Sequence, residues 1–208
     1  MVQVNRPVLV AIIGPGGALS AGRAIRGGAD LVQVRAKGLS SRSLMALVRE
    51  VIADVGDARR VIVNARPDIA ERAGACGVHL PESGLDPKAV RRDFPELSVS
   101  VSRHDLAGLM RASDEGADFA MLGPVYETPG KGDHAIGVEG WRDLVLGLGL
   151  PVIAVGGIVP SNCRAIIDAG ARGVAAIRPF SNPETAQSVA EAFQSALSDP
   201  SAVQIRFD

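Results

Sequence analysis

The chain has 208 residues, nearly half of them apolar, and a formal net charge of −1. A balance so close to zero argues against a polyanion or a membrane surface as the main partner, while a local group of cations would still suit a small anion. The two cysteines, Cys76 and Cys163, match no metal-ligand spacing and read as buried free thiols, and the longest apolar runs fall far short of the roughly 20 residues of a membrane span. With no leader sequence evident, the expected location is the cytoplasm.

In chain order, apolar runs of strand length alternate with segments of helical spacing. Val8 to Ile13 is the first predicted strand, followed by a helix from Leu19 to Arg26 and a second strand from Leu31 to Arg35. Ser40 to Asp54 places Leu44, Leu47, Val48 and Val51 on one helical face, with Ser40 or Ser41 as its cap. Val61 to Asn64 is the third strand, Asp68 to Ala73 a short helix, Val78 to Leu80 the fourth strand and Pro87 to Phe94 a helix opened by proline. Leu97 to Ser102 and Phe119 to Leu122 are the fifth and sixth strands, separated by a helix from Asp105 to Glu115. A long loop, Gly123 to Gly137, leads to a helix from Trp141 to Leu148. Pro151 to Val155, a helix from Asn162 to Ala169 closed by Gly170, Val174 to Ile177 and a last helix from Pro183 to Leu197 complete the pattern.

A short motif recurs four times, as Gly28-Ala29-Asp30, Gly74-Ala75-Cys76, Gly116-Ala117-Asp118 and Gly170-Ala171-Arg172, each time ending a helix and entering an even-numbered strand. Two βα steps repeated four times close into eight strands, so the expected fold is α/β, a single (β/α)8 TIM barrel over residues 1–208. An open doubly wound sheet is the competing architecture, but its Gly-x-Gly-x-x-Gly fingerprint does not follow the first strand.

In a barrel the chemistry sits where strands finish. Gly156 and Gly157 end the seventh strand, where backbone N–H groups uncovered by any Cβ can approach an anionic oxygen; the plainer reading is a tight turn. At the end of the second strand, alternation sends Gln33, Arg35 and Lys37 to one side, two cations and an amide suited to an oxyanion. Asn64, His79, Ser102 and His104 lie at other strand ends, each with an ordinary structural role open to it. The long loop carries Tyr126, Glu127, Thr128, Lys131, Asp133 and His134 and reads as a lid or clamp.

Taken together these stretches resemble the thiamine phosphate synthase and TenI family. They are QVRAK at 33–37, VIVNARPDIA at 61–70, GVHLPESG at 77–84, SRH at 102–104, GPVYETPGK at 123–131, PVIAVGGI at 151–158 and AGARGVAAI at 169–177. The resemblance covers nearly the whole chain. It implies a TIM barrel acting on phosphorylated thiamine precursors. In the synthase branch a pyrimidine pyrophosphate is joined to a thiazole phosphate with loss of pyrophosphate, and magnesium and cations hold the leaving group. Gln33, Arg35, Lys37, Asn64, Ser102, Thr128 and Lys131 match residues of that site, His79 lies beside them, and Gly156 and Gly157, with the backbone at Ile177 and Arg178, match a thiazole-phosphate cup.

The sequence also departs from the synthases. Their two magnesium-binding Asp positions are Ala65 and Gly84 here. The Leu80–Ser83 segment is closer to TenI, whose tautomerase members move a proton on a thiazole carboxylate phosphate without a metal. The expectation drawn from these departures is a TenI-like isomerase with no cofactor and no metal site. It would bind thiazole phosphate, have no nucleic-acid or membrane partner, and form a homo-oligomer if it assembles. The TenI histidine position holds Pro124, so His104, Glu127 and His134 are the candidate proton carriers. The alternatives are a magnesium-dependent thiamine phosphate synthase and a non-catalytic phosphate-ligand-binding protein.

Overall fold

The computed structural model describes residues 6–127 and 135–198. Eight parallel strands pair in sequence order and close, β8 back onto β1. They are β1 (Val8–Ile13), β2 (Leu31–Val34), β3 (Val61–Asn64), β4 (Gly77–Leu80), β5 (Ser98–Arg103), β6 (Phe119–Leu122), β7 (Val152–Val155) and β8 (Gly173–Ala176). The helices around them are α1 (Ala18–Arg26), α2 (Ser41–Val55), α3 (Pro67–Ala73), α4 (Pro87–Asp93), α5 (Leu106–Asp114), α6 (Gly137–Val145), α7 (Cys163–Asp168) and α8 (Ala186–Leu197). The chain is a TIM barrel, as the alternating pattern predicts.

The fourfold repeat is a hydrogen-bonding unit. In each copy the Ala N–H reaches back to the preceding helix: Ala29 to the Ala24 carbonyl, Ala75 to Ala70, Ala117 to Ala112 and Ala171 to Ile166. The next N–H bonds the start of an odd strand, Asp30 to the Leu9 carbonyl, Cys76 to Val61, Asp118 to Val99 and Arg172 to Val152. Each motif glycine takes positive φ, 105°, 79°, 81° and 103° in turn, a region in which any side chain is strained. In two copies the third residue is Asp, and its carboxylate also accepts from an odd strand, Asp30 from the Leu9 N–H and Asp118 from the Val99 N–H.

Most of the apolar surface is buried between the strands and the helix ring, where Trp141, Phe180 and Phe193 supply the bulk that scarce aromatics allow. A second, smaller group, Val10, Ile12, Met121, Ile153 and Ala175, fills the barrel itself. Strand alternation explains the split. On β1, Leu9, Ala11 and Ile13 face the helices, while Val10 and Ile12 between them face the axis. By the same rule β5, Ser-Val-Ser-Val-Ser-Arg, sends its valines outward into the large core and its serines inward.

Several predicted boundaries move. The helix expected at 141–148 runs Gly137–Val145, because Trp141 belongs in its middle, buried with its indole N–H on the Leu122 carbonyl, and Gly147 at φ 78° follows its end. The Ile136 and Gly137 N–H groups bond the Pro124 and Val125 carbonyls, which docks this helix start on the segment after β6. Strand β8 stops at Ala176, leaving Ile177 and Arg178 in a turn beyond it, and α8 starts three residues later than expected, at Ala186. Cys163 is buried as expected, but Cys76 is only half-buried. The tail beyond residue 198 and the loop positions 128–134 lie outside the described residues.

Candidate functional site

The carboxyl ends of β2 to β5 bring polar side chains to one mouth. Gln33 is fully buried in the barrel, its amide nitrogen 3.7 Å from the Met121 sulfur. Arg35 follows the last residue of β2, tied by its N–H to the Ile13 carbonyl at 2.8 Å. Its half-buried guanidinium has no partner among the described residues. Other partly buried guanidiniums are occupied: Arg6 on Asp30, Arg60 on the Asp30 carbonyl, Arg91 on Asp118. Lys37 lies past the end of the strand and is exposed, so the alternation that groups it with Gln33 and Arg35 does not extend that far. Asn64 ends β3 opposite His79 in register, half-buried and with its amide free of partners among the described residues.

His79 is 3% exposed and sits between two serines of β5, Nδ1 at 3.0 Å from Ser100 Oγ and Nε2 at 2.8 Å from Ser102 Oγ. Burial, then the neighbouring charges of Arg35 and Arg103, pushes its pKa down from 6.5 to about 3, so the ring is neutral throughout the physiological range. Arg103 was not singled out in the sequence. It points into the helix layer, where Nη1 donates to the Ser102 carbonyl at 2.7 Å and Nη2 stands 4.0 Å from Glu115. The alternating serines of β5 were the available signal for this polar seam.

Across the mouth, beyond β8 and β1, the glycines after β7 form a cup. Gly156 and Gly157 have φ of 97° and 66°, and their N–H groups donate to no group among the described residues. Both readings of these glycines hold at once. A Cβ on Gly156 would lie 2.5 Å from the Pro124 Cα, and one on Gly157 would lie 2.6 Å from the Tyr126 Cβ, so close packing against the β6 segment also requires them. Asn162 staples the loop: its oxygen accepts from the Val159 N–H at 2.9 Å, its amide donates to the Gly157 carbonyl at 2.9 Å, and its own carbonyl accepts from the Tyr126 hydroxyl. Neither Asn162 nor Tyr126 was expected to shape the cup. Ile177 and Arg178 are exposed in the turn after β8, at the same end of the barrel.

Of the three expected proton carriers, two lie within the described residues. His104 is exposed and its Nδ1–H donates to the Gly123 carbonyl at 2.7 Å, rather than to Asp105, whose carboxylate instead caps α5 at the Gly108 N–H. Glu127 is exposed beyond β6, and His134, Thr128 and Lys131 lie outside the described residues. The two positions at which the resemblance implies magnesium-binding carboxylates do not carry them. Ala65 and Gly84 offer no side-chain oxygen, and no group of three or more His, Cys, Asp or Glu among the described residues could hold a metal ion. Ala65 nevertheless takes φ 64°, a left-handed conformation that Asp and Asn adopt more readily than Ala. A cavity of about 130 Å³ lies at the opposite end of the barrel, lined by Val8, Leu31, Ile62 and Phe119 among others, and contains none of these residues.

A family profile described as thiamine monophosphate synthase matches residues 18–180. The chain belongs to this family. It is 36% identical over 206 residues to the thiamine-phosphate synthase of Thermus thermophilus, covering 94% of this chain and 98% of that one. It is 38% identical over 160 residues to the thiamine-phosphate synthase of Methanoculleus marisnigri, covering 74% of this chain and 75% of that one. Among solved structures it is similar to the thiamine phosphate pyrophosphorylase from Pyrococcus furiosus, with a TM-score of 0.82 and 25% identity over 94% of this chain and 97% of that one. The relatives bear the synthase name, which overturns the expectation of a TenI-like tautomerase and of an isomerase. The two lost Asp positions therefore do not mark the chain as TenI-like. Two substitutions in the loops after β3 and β4 say little against likeness spread along the whole barrel.

Proposed function

We propose that this member of the thiamine monophosphate synthase family is a transferase that joins a pyrimidine carried on a pyrophosphate ester to a thiazole phosphate, releasing pyrophosphate. The observation that carries the reading is the half-buried guanidinium of Arg35, without a partner among the described residues, at the mouth that Asn64, His79 and Ser102 also reach. A charge left without a partner in a partly desolvated site awaits an anion.

The site has two separate anion positions. Arg35, with Lys37 near it in sequence, suits the pyrophosphate, and the free N–H groups of Gly156 and Gly157 suit the phosphate of the thiazole partner. Holding both reactants by their anionic ends places the two heterocycles over the polar seam between them. The new bond forms from the thiazole nitrogen to the pyrimidine methylene carbon as the carbon–oxygen bond to pyrophosphate breaks. Both electrons of the broken bond leave with the pyrophosphate, so Arg35 faces charge that grows in the transition state. No proton carrier is needed for that step, so it asks nothing of His104, Glu127 or His134. Thr128 and Lys131 belong to this proposal as further ligands of the leaving group. The reading includes no protein-held cofactor.

Purified protein given both substrates in the presence of Mg²⁺ should release pyrophosphate, and should release none when either substrate is omitted. Absence of release with both substrates, under conditions where the protein is folded and binds inorganic pyrophosphate, refutes the proposal.

A further inference from the structure

The direction in which the Gly156 and Gly157 N–H groups point is set by the carbonyls that share their peptide units. A trans peptide unit is planar, so its C=O and N–H point opposite ways. The Val125 N–H donates to the Val155 carbonyl at 3.0 Å, and the Tyr126 N–H donates to the Gly156 carbonyl at 3.1 Å. Both carbonyls are thereby turned toward the segment after β6. The N–H groups of the same two units, those of Gly156 and Gly157, are turned away from it, and neither finds an acceptor among the described residues. The next unit is held differently. Its Gly157 carbonyl lies beyond this main-chain pairing and accepts from Asn162 Nδ2 at 2.9 Å. The Asn162 side-chain oxygen accepts from the Val159 N–H at 2.9 Å, and the Asn162 backbone carbonyl accepts from the Tyr126 hydroxyl at 3.0 Å. With a carbonyl on one side and an N–H on the other, only one orientation of the Asn162 amide satisfies both.

Two adjacent glycines have wide backbone freedom, and a peptide unit that turned over would present a carbonyl oxygen where an N–H is needed. At Gly157 the unit on one side of the Cα is anchored by the main chain of Tyr126, and the unit on the other side by one side chain. We infer that Asn162 is a positioning residue: by holding the Gly157 carbonyl it keeps Gly157 at φ 66° and keeps the glycine N–H groups aimed at an anion. That this anion is the phosphate of the thiazole partner rests on the proposed function; the aim of the donors does not. The gain is pre-organisation, since donors ordered before the ligand arrives do not have to be ordered by it. Asn162 acts through Gly157 and need not touch the phosphate. It is half-buried and its partner Val159 is exposed, so the network lies in a surface loop and its loss spares the core.

NMR of the full, ¹⁵N-labelled chain titrated with inorganic phosphate reads the cup directly. In wild type the Gly156 and Gly157 amide signals should shift on titration. In Asn162→Ala the scalar couplings that report the Gly157 φ should move toward an averaged value before any ligand is added. Phosphate should then bind at these two amides roughly three- to tenfold more weakly, the effect of losing one neutral hydrogen bond. With both substrates, the KM for thiazole phosphate should rise by a similar factor while kcat and the KM for the pyrimidine pyrophosphate change little, a split that general loosening of the fold would not give. Asn162→Asp keeps the shape and the bond from Val159 but has no donor for the Gly157 carbonyl; it should also lose binding, and it carries the test if Asn162→Ala does not fold. Unchanged couplings and unchanged phosphate affinity in a folded variant overturn the inference, as does a wild type whose two glycine amides ignore phosphate. If phosphate binds at these amides and Asn162→Ala weakens it, yet wild type turns over neither substrate, the proposed function fails and the role of Asn162 stands.

Discussion

Removing the Arg35 guanidinium separates binding from folding. In Arg35→Ala no intramolecular hydrogen bond or ion pair among the described residues is lost, so stability should stay within about 0.5 kcal/mol of wild type. Its charge is also one of the two that depress His79, and losing it relieves that burden slightly. Anion binding should suffer much more. A hydrogen bond to a charged group contributes about 1.5–3 kcal/mol, which corresponds to a loss of roughly 10- to 150-fold in affinity for inorganic pyrophosphate. Arg35→Lys keeps the charge without the planar fork and should fall between the two. Titration calorimetry with inorganic pyrophosphate, paired with thermal unfolding, reads both effects. Arg59→Ala is the control, since Arg59 is exposed and paired with Asp57 away from the mouth. Unchanged pyrophosphate affinity in Arg35→Ala, or a loss of stability as large as the loss of binding, would refute the reasoning.

Three more outcomes follow from the same geometry. The native state refuses a proton on His79 until about pH 3, while the unfolded chain accepts one near 6.5; stability should therefore be full above pH 6.5 and fall by about 1.4 kcal/mol per pH unit below it, and urea unfolding between pH 6.5 and 5 should show this slope in wild type but not in His79→Gln. Gly157→Ala places a methyl group 2.6 Å from the Tyr126 Cβ at a φ of 66°, and should cost about 2 kcal/mol or more and weaken phosphate binding, measured by denaturation and calorimetry; a neutral result would show that the cup is not held by this contact. Ala65→Asp uses a left-handed residue where Asp is tolerated, so it should leave the melting temperature nearly unchanged and make pyrophosphate binding respond to added Mg²⁺.

The barrel was legible because its causes are local. Short β-branched runs, helical spacing and four copies of a helix-ending glycine each act within a few residues, and their repetition leaves little choice of closure. The same locality exposed Gln33, Arg35, Asn64, His79 and Ser102 as strand-end residues. Where local signals were thin, boundaries slipped: α6 was placed four residues late because only the tertiary fold shows that Trp141 is buried in mid-helix beneath Leu122.

What the sequence determined by itself is which residues alternate on each strand and where each strand stops. What only the tertiary structure decided is which of them meet. Ser100, His79 and Ser102 come from two strands and touch only because those strands pair side by side in the barrel. Strand alternation marked Arg35 as a candidate anion ligand, but only the fold shows that no described residue pairs with its charge. The physical reason is range: backbone preference acts over a few residues, whereas the pairing and desolvation of side chains are set by neighbours that closure of the barrel brings together.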